Sequence, residues 1–353
     1  MPVVPNTVER LAMLRLNRGP GPVLDLVSAG AFHAAALAVD IGLFDALADG
    51  PRSASALARD LGADEAGLDR LLAFLDAAGY VADHDGRYRN TDMTTRWLTD
   101  RDPNGTDIGD YLLAWERAVF PFWAANIETA VREGRPLRTI YEWLDDDPEL
   151  ARVVQRGFLA VGRLVVEDVV EAVELPDGAT RILDVGGGHG LYSAALCRAH
   201  PGLEATVFDR PDVEPVTAEV LAEEGMAHRV SFVGGDYLVD DLGTGYDAAL
   251  LFNVVHAHTP EEVRALLDRV AGSLRMGGLV AVIDQFEGSA RTPAWHAALQ
   301  FVSLNYLATI GASIHEYADL AEWLSEAGFA NVRRETVGPG TSIVLAERVP
   351  HAG

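Results

Sequence analysis

The stretch that most constrains this chain is Leu183-Asp184-Val185-Gly186-Gly187-Gly188-His189-Gly190. It closes an apolar run with strand character, RILDVG (181–186), and opens an amphipathic helical stretch at 190–199. A glycine turn between a strand and a helix lets the backbone approach a ligand closely at the carboxyl edge of a sheet. Strand patterns recur at ATVFDR (205–210), VSFVGGD (230–236), YDAALLFNVV (246–255), GGLVAVIDQF (277–286) and TSIVLAE (341–347), with helical stretches at 214–225, 260–275 and 316–327 between them. Strands alternating with helices predict an α/β fold, a Rossmann-like, doubly wound, mostly parallel sheet.

The glycine spacing is G-G-G-H-G, which departs from the G-x-G-x-x-G of dinucleotide-binding turns. The second strand ends in Phe208-Asp209, about twenty residues past the glycines, where a carboxylate accepts from both hydroxyls of a ribose. The third ends in Gly235-Asp236-Tyr237, a second carboxylate at the same edge, suited to an adenine amino group with Tyr237 beside the ring. Three strand ends then converge on one nucleoside.

Ahead of this lies a mainly α-helical region. Residues 23–48 carry apolar side chains at helical spacing, as two short helices or one bent one, up to Gly50-Pro51. Ser53–Leu61 and Asp64–Ala78 read as helices, and Gly79-Tyr80-Val81, the turn at His84-Asp85-Gly86 and Arg87-Tyr88 read as a small hairpin, together a winged helix. Helical patterns dominate 107–172, where Trp115, Phe120, Phe122, Trp123, Tyr141 and Trp143 are either ordinary packing residues or pocket walls, and Trp295, Phe301 and Tyr306 in 295–310 are expected to help close the same pocket. The chain is expected to divide into a winged-helix domain (1–105), a helical connecting segment (106–175) and a catalytic sheet domain (176–353).

The 28 Lys+Arg, all arginine, against 53 Asp+Glu give a formal charge of −25, which repels phosphate backbones and anionic lipid. We therefore expect no nucleic-acid and no membrane partner. Cys197 is the only cysteine, so no intramolecular disulfide forms. No stretch approaches 18 uncharged apolar residues and the N-terminus lacks a basic, then apolar, leader, so the expectation is a cytoplasmic protein.

LDVGGGHG, FDRP, GGDY and NVVHAHTPEE, in this order and spacing, resemble the S-adenosyl-L-methionine-dependent O-methyltransferases that modify phenols and related natural products. The likeness covers nearly the whole chain, since the winged-helix region resembles that family's dimerisation domain. It implies a homodimer, a small-molecule acceptor, S-adenosyl-L-methionine as methyl donor and S-adenosyl-L-homocysteine as product. It also implies a cofactor set of Asp184, Gly186, Gly187, Gly188, Gly190, Asp209, Asp236, Tyr237 and Asn253. The family's catalytic base is the His of an H-D-W triplet, matched here by His256-Ala257-His258. Thr259-Pro260-Glu261-Glu262 independently reads as a helix start with a capping box, so His256 falls on a strand-to-helix loop. A histidine with its ordinary pKa near ~6.5 can take a phenolic proton. In the family two acids frame this base: the first matches Asp284, and the second falls on Ile314, with Glu316 two residues on as its substitute.

Two other readings stay open. The altered triplet and Ile314 leave room for the same fold recruited to hydroxylation, decarboxylation or rearrangement, and the winged helix for a transcriptional regulator. His256 and His258 without a clustered carboxylate do not form a metal-ligand pattern, so no metal is expected. His189 is expected to pack beside the turn, Cys197 to be a core residue, and Asp145-Asp146-Asp147, Asp240 and Asp241 to be solvated loop charges.

Overall fold

The computed structural model describes residues 7–19, 21–100, 106–290, 292–338 and 341–350. The chain forms two compact units, Met1–Ala118 and Val119–Gly353. The division falls within the helical segment 106–175 of the sequence reading. Residues up to 118 join the first unit because Gly109 packs against Val39, where a Cβ would stand 3.1 Å from a Val39 methyl group, and Arg117 pairs with Asp40.

In the first unit, helix α1 (Pro22–Asp40) is followed by α2 (Ala54–Leu61), α3 (Glu65–Ala77) and the hairpin β1 (Val81–His84) and β2 (Arg87–Asn90). Ser53 and Asp64 cap α2 and α3 by accepting the Ala56 and Gly67 N–H groups, which satisfies otherwise orphaned donors. Leu57, Leu68, Leu72, Leu75 and Val81 close a single core under the wing. The stretch 23–48 folds as two helices, the 19-residue α1 and a short one at Leu43–Ala46 that starts after Gly42. Against the expectation of no such run, α1 has mean hydropathy 1.6 and is long and apolar enough by length and composition to cross a membrane, its sparse charges, Asp25 and Asp40, sitting near its ends. Ala31, Ala35, Ala36 and Ala38 are buried within the unit, while Val23, Leu26 and Leu37 stay exposed.

The second unit is built on a seven-stranded sheet. Its strands are β3 (Arg181–Val185), β4 (Glu204–Asp209), β5 (Val230–Gly234), β6 (Tyr246–Phe252), β7 (Leu274–Asp284), β8 (Phe329–Gly338) and β9 (Thr341–Arg348), in the order β5-β4-β3-β6-β7-β9-β8. β5 to β7 are parallel and β9 is antiparallel to both its neighbours. Every residue of β6 is buried, as a strand covered on both faces must be. Ala249 and Leu251 point into one apolar cluster and Ala248, Leu250 and Phe252 into the other, so truncating Leu250 to Ala costs about 2–5 kcal/mol. Chain order reverses between β3 and β6, and a crevice for ligands opens outside the carboxyl ends of strands at such a point.

β8 is an element the sequence reading lacks. A register shift between Ala330 and Arg333, with Asn331 at φ 56°, breaks the alternation by which a strand is recognised. Around the sheet run α4 (Phe120–Glu133), α5 (Ile140–Leu144), α6 (Pro148–Arg163), α7 (Leu191–Ala199), α8 (Glu214–Glu223), α9 (Pro260–Ser273), α10 (Pro293–Ile310) and α11 (Tyr317–Glu326).

Candidate active site

The glycine turn leaves β3 with Gly186, Gly188 and Gly190 all at positive φ, 66°, 52° and 72°. A Cβ on Gly187 would stand 2.5 Å from the Asp184 Cγ, and one on Gly186 would stand 2.7 Å from a Val254 methyl group. Both positions exclude a side chain. Gly188 differs: its nearest neighbour would be Gln155 Oε1 at 3.4 Å, which leaves room above the turn. The turn is fixed from two sides, since the Gly188 N–H donates to Asp209 Oδ2 at 2.7 Å and Thr217 donates to the Gly188 carbonyl at 2.7 Å.

Asp184 lies under the turn, 1% exposed, and burial pushes its carboxyl up to about 7. Its Oδ2 accepts from Ser193 at 2.7 Å, and its buried Oδ1 has no hydrogen-bond partner among the described residues. His189 packs beside the turn and accepts the Leu191 N–H through Nδ1 at 3.2 Å. Burial, with Arg163 nearby, holds its imidazole down at about 4.

Asp209 ends β4 and accepts the Arg210 N–H as well as that of Gly188. Burial raises its pKa while those two bonds oppose the rise. Tyr237 stands beside Gly186, with its ring 3.6 Å from where a Gly186 Cβ would sit, and its hydroxyl meets His258 Nε2 at 2.8 Å. Burial lowers the pKa of His258. Asp236 is exposed past the end of β5, and its Oδ1 accepts the Leu238 N–H at 2.9 Å, a local cap. Asn253, exposed at φ 57°, follows β6 and accepts from Gln285 Nε2 at 3.3 Å.

His256 lies in a 3₁₀ turn, Val255–Ala257, ahead of α9. The capping box that placed it is present: Thr259 and Glu262 exchange bonds at 3.3 and 2.9 Å. Asp284, the last residue of β7, meets His256 Nδ1 at 2.9 Å and accepts the His256 backbone N–H at 3.1 Å. Both residues are buried, 5% and 1% exposed. Tyr306 of α10 stacks on the imidazole, with ring centroids 4.0 Å apart.

Glu316 is exposed as the N-cap residue of α11, and among the described residues no hydrogen bond joins it to His256. A bridge between Phe286 and His315 sets the strand phase here, so the residue turned to the loop is His315. Its Nε2 lies 3.0 Å from the Val255 carbonyl and 3.1 Å from that of His258. Two carbonyls accept only, so His315 Nε2 carries the proton and clamps the loop that holds His256.

His315 and Gln285 are residues the sequence reading missed. So is Arg210, which pairs with Asp145 and Asp212 and lies over the Tyr141 ring. The Asp145–Asp147 run is accordingly not simply solvated, because Asp146 pairs with Arg138 and Asp147 caps α6 through the Leu150 N–H. Asp240 likewise accepts the Asp236 N–H. Phe122 is buried against Trp143, an ordinary packing pair.

Residues 126–330 match the model of the O-methyltransferase domain, and residues 29–100 match that of the O-methyltransferase dimerisation domain. The chain is 31% identical over 316 residues to the 3-hydroxy-5-methyl-1-naphthoate 3-O-methyltransferase of Streptomyces sahachiroi, covering 88% of this chain and 89% of that protein. It is 33% identical to the tetracenomycin polyketide synthesis 8-O-methyl transferase TcmO of Streptomyces glaucescens, over 92% of this chain and 96% of that one. Human N-acetylserotonin methyltransferase, solved with S-adenosylmethionine, shares the fold with a TM-score of 0.82 at 23% identity, over 99% of this chain and all of that one. This chain thus belongs to the S-adenosylmethionine-dependent O-methyltransferase family, and it is a methyltransferase of that kind.

Proposed function

We propose that this enzyme methylates a phenolic hydroxyl of an aromatic, polyketide-like small molecule, with His256 as general base. The observation that carries the reading is the buried His256–Asp284 pair beside the glycine turn of the sheet's switch point. The relatives named above for naphthoate and tetracenomycin chemistry support the acceptor class.

The residues at the strand ends fit an adenosyl ligand. Side chains are excluded at Gly186 and Gly187, there is room over Gly188, and Asp209 keeps lone pairs for ribose hydroxyls beyond the two N–H groups it already accepts. Tyr237 and His258 flank the turn as the adenine side, with Asp184, Gly190, Asp236 and Asn253 completing the set. Bound there, S-adenosylmethionine supplies an electrophilic methyl group and is left as S-adenosylhomocysteine.

Asp284 accepts a hydrogen bond from Nδ1–H of His256, which fixes the tautomer whose Nε2 is free of a proton. That nitrogen takes the acceptor's hydroxyl proton as the oxygen becomes nucleophilic, and the Asp284 carboxylate stabilises the imidazolium that results. Burial of both groups excludes water from the transfer and strengthens their interaction.

The match to the dimerisation domain and the exposed Val23, Leu26 and Leu37 of α1 support a homodimer. The single, buried Cys197 suits a reducing cytoplasm. Calorimetric titration of S-adenosylhomocysteine into wild type and Asp209→Ala tests the cofactor site. We expect affinity to fall about 10–100-fold on losing a charged acceptor, and equal affinities would remove Asp209 from it.

A further inference from the structure

Tyr306 takes no part in the proton transfer described above, yet its ring lies parallel to the His256 imidazole, with 4.0 Å between centroids and 3° between planes. The residue that follows Asp284 builds this contact. Tyr306 donates its hydroxyl to Gln285 Oε1 at 2.6 Å, and Gln285 Nε2 in turn donates to Asn253 Oδ1 at 3.3 Å. The Gln285 backbone N–H donates to Asp284 Oδ1 at 2.9 Å, the same oxygen that meets His256 Nδ1. One dipeptide, Asp284-Gln285, therefore holds both the edge of the imidazole and the ring that covers its face. α10, which carries Tyr306, also packs on the turn that carries His256.

We propose that Tyr306 is a positioning residue for methyl transfer, which fixes the plane of His256 and stabilises the imidazolium formed when the acceptor's proton arrives. The inference rests on His256 being the base. A hydrogen bond at Nδ1 sets the direction of the imidazole edge but leaves the ring free to tilt about that bond. A parallel ring at van der Waals distance removes the tilt. An electron-rich phenol face also attracts a cation more than a neutral ring, so the contact is stronger after proton transfer than before it. An interaction that strengthens toward the transition state acts on kcat, whereas a pocket wall acts on KM. The stack further closes one face of the imidazole, so an acceptor reaches His256 at its Nε2 edge.

The test compares full-length wild type, Tyr306→Leu, Tyr306→Phe and His256→Ala on the phenolic acceptor that wild type turns over. The first probe is 3-hydroxy-5-methyl-1-naphthoate, with saturating S-adenosylmethionine. S-adenosylhomocysteine affinity is measured alongside for each variant. We expect Tyr306→Leu to lower kcat about ten-fold with S-adenosylhomocysteine affinity unchanged, and Tyr306→Phe, which keeps the stack, to recover most of it. If the Leu variant no longer binds S-adenosylhomocysteine, Tyr306→Met, closer in volume, is read in its place. An unchanged kcat with a raised KM would reduce Tyr306 to a pocket wall and overturn the proposal, as would a Phe variant as slow as the Leu one. Full kcat in His256→Ala would overturn the base assignment and this inference with it, an outcome distinct from a silent Tyr306 beside an essential His256.

Discussion

Asp284 grips His256 twice, accepting its backbone N–H through Oδ2 at 3.1 Å and meeting Nδ1 through Oδ1 at 2.9 Å. Both partners are donors in the tautomer that leaves Nε2 free, so the carboxylate cannot be replaced by an amide without setting an NH₂ against an N–H. Asp284→Asn should retain the fold and lose about 10²-fold or more in kcat. Steady-state methyl transfer beside a circular dichroism spectrum checks this, and an Asn variant with wild-type kcat would show that Asp284 does not orient the base.

The glycine turn predicts a separation between neighbouring positions. Gly187→Ala drives a Cβ to within 2.5 Å of the buried Asp184 carboxyl carbon, and Gly186→Ala meets Val254 at 2.7 Å at a positive φ. Each should cost about 1–3 kcal/mol of stability and weaken S-adenosylhomocysteine binding. Thermal unfolding with and without the ligand measures both effects, and unchanged midpoints would mean that the turn is looser than it stands here.

Asp184 and His189 give stability slopes of opposite sign. Between its ordinary 3.8 and about 7, folded Asp184 holds a proton that the unfolded chain has released, so its contribution is full below this window and declines as pH rises through it. His189 stays neutral in the fold down to about 4, whereas the unfolded chain takes up a proton below 6.5, so its contribution declines as pH falls. The two slopes oppose each other between about pH 4 and 6.5. Asp184→Asn should therefore make stability rise with pH across this window relative to wild type, and His189→Asn should make it fall. Calorimetric midpoints against pH decide, and three parallel curves would contradict the burial of these groups.

The first unit carries the prediction about assembly. Light scattering on the eluted protein should give twice the 37.9 kDa of one chain. Leu26→Arg, an exposed position 71% accessible on α1, should shift it toward one chain if that helix face pairs protomers. A monomer at micromolar concentration would count against the homodimer.

Much of this arrangement was legible in the sequence, for reasons that also mark where legibility ended. β3 to β7 and β9 are apolar runs bounded by turn residues, so their order and the glycine turn could be read directly. His256 was located twice, by family likeness and by the Thr259–Glu262 capping box, which depends only on local spacing. β8 escaped because its bulge and its charges, Arg333, Arg334 and Glu335, hide the period of two. Tyr306 was legible only as one of several aromatics, since α10 is apolar nearly all round and shows no face from which its register can be set. Gln285 and His315 gain their meaning from a tertiary bridge between segments far apart in the chain, which no local pattern encodes. For Glu316 the likeness fixed the neighbourhood but not the strand phase, and one residue of phase exchanges the side chain facing the loop for one facing solvent.

The measurement that tests the account most directly is mass analysis of 3-hydroxy-5-methyl-1-naphthoate and related polyketide phenols incubated with S-adenosylmethionine and either wild type or His256→Ala. We expect a product heavier by one CH₂, with the methyl group on a phenolic oxygen, formed by wild type and slowed about 10²–10⁴-fold in the variant. Equal product from both proteins, or turnover to an unmethylated product, would contradict it.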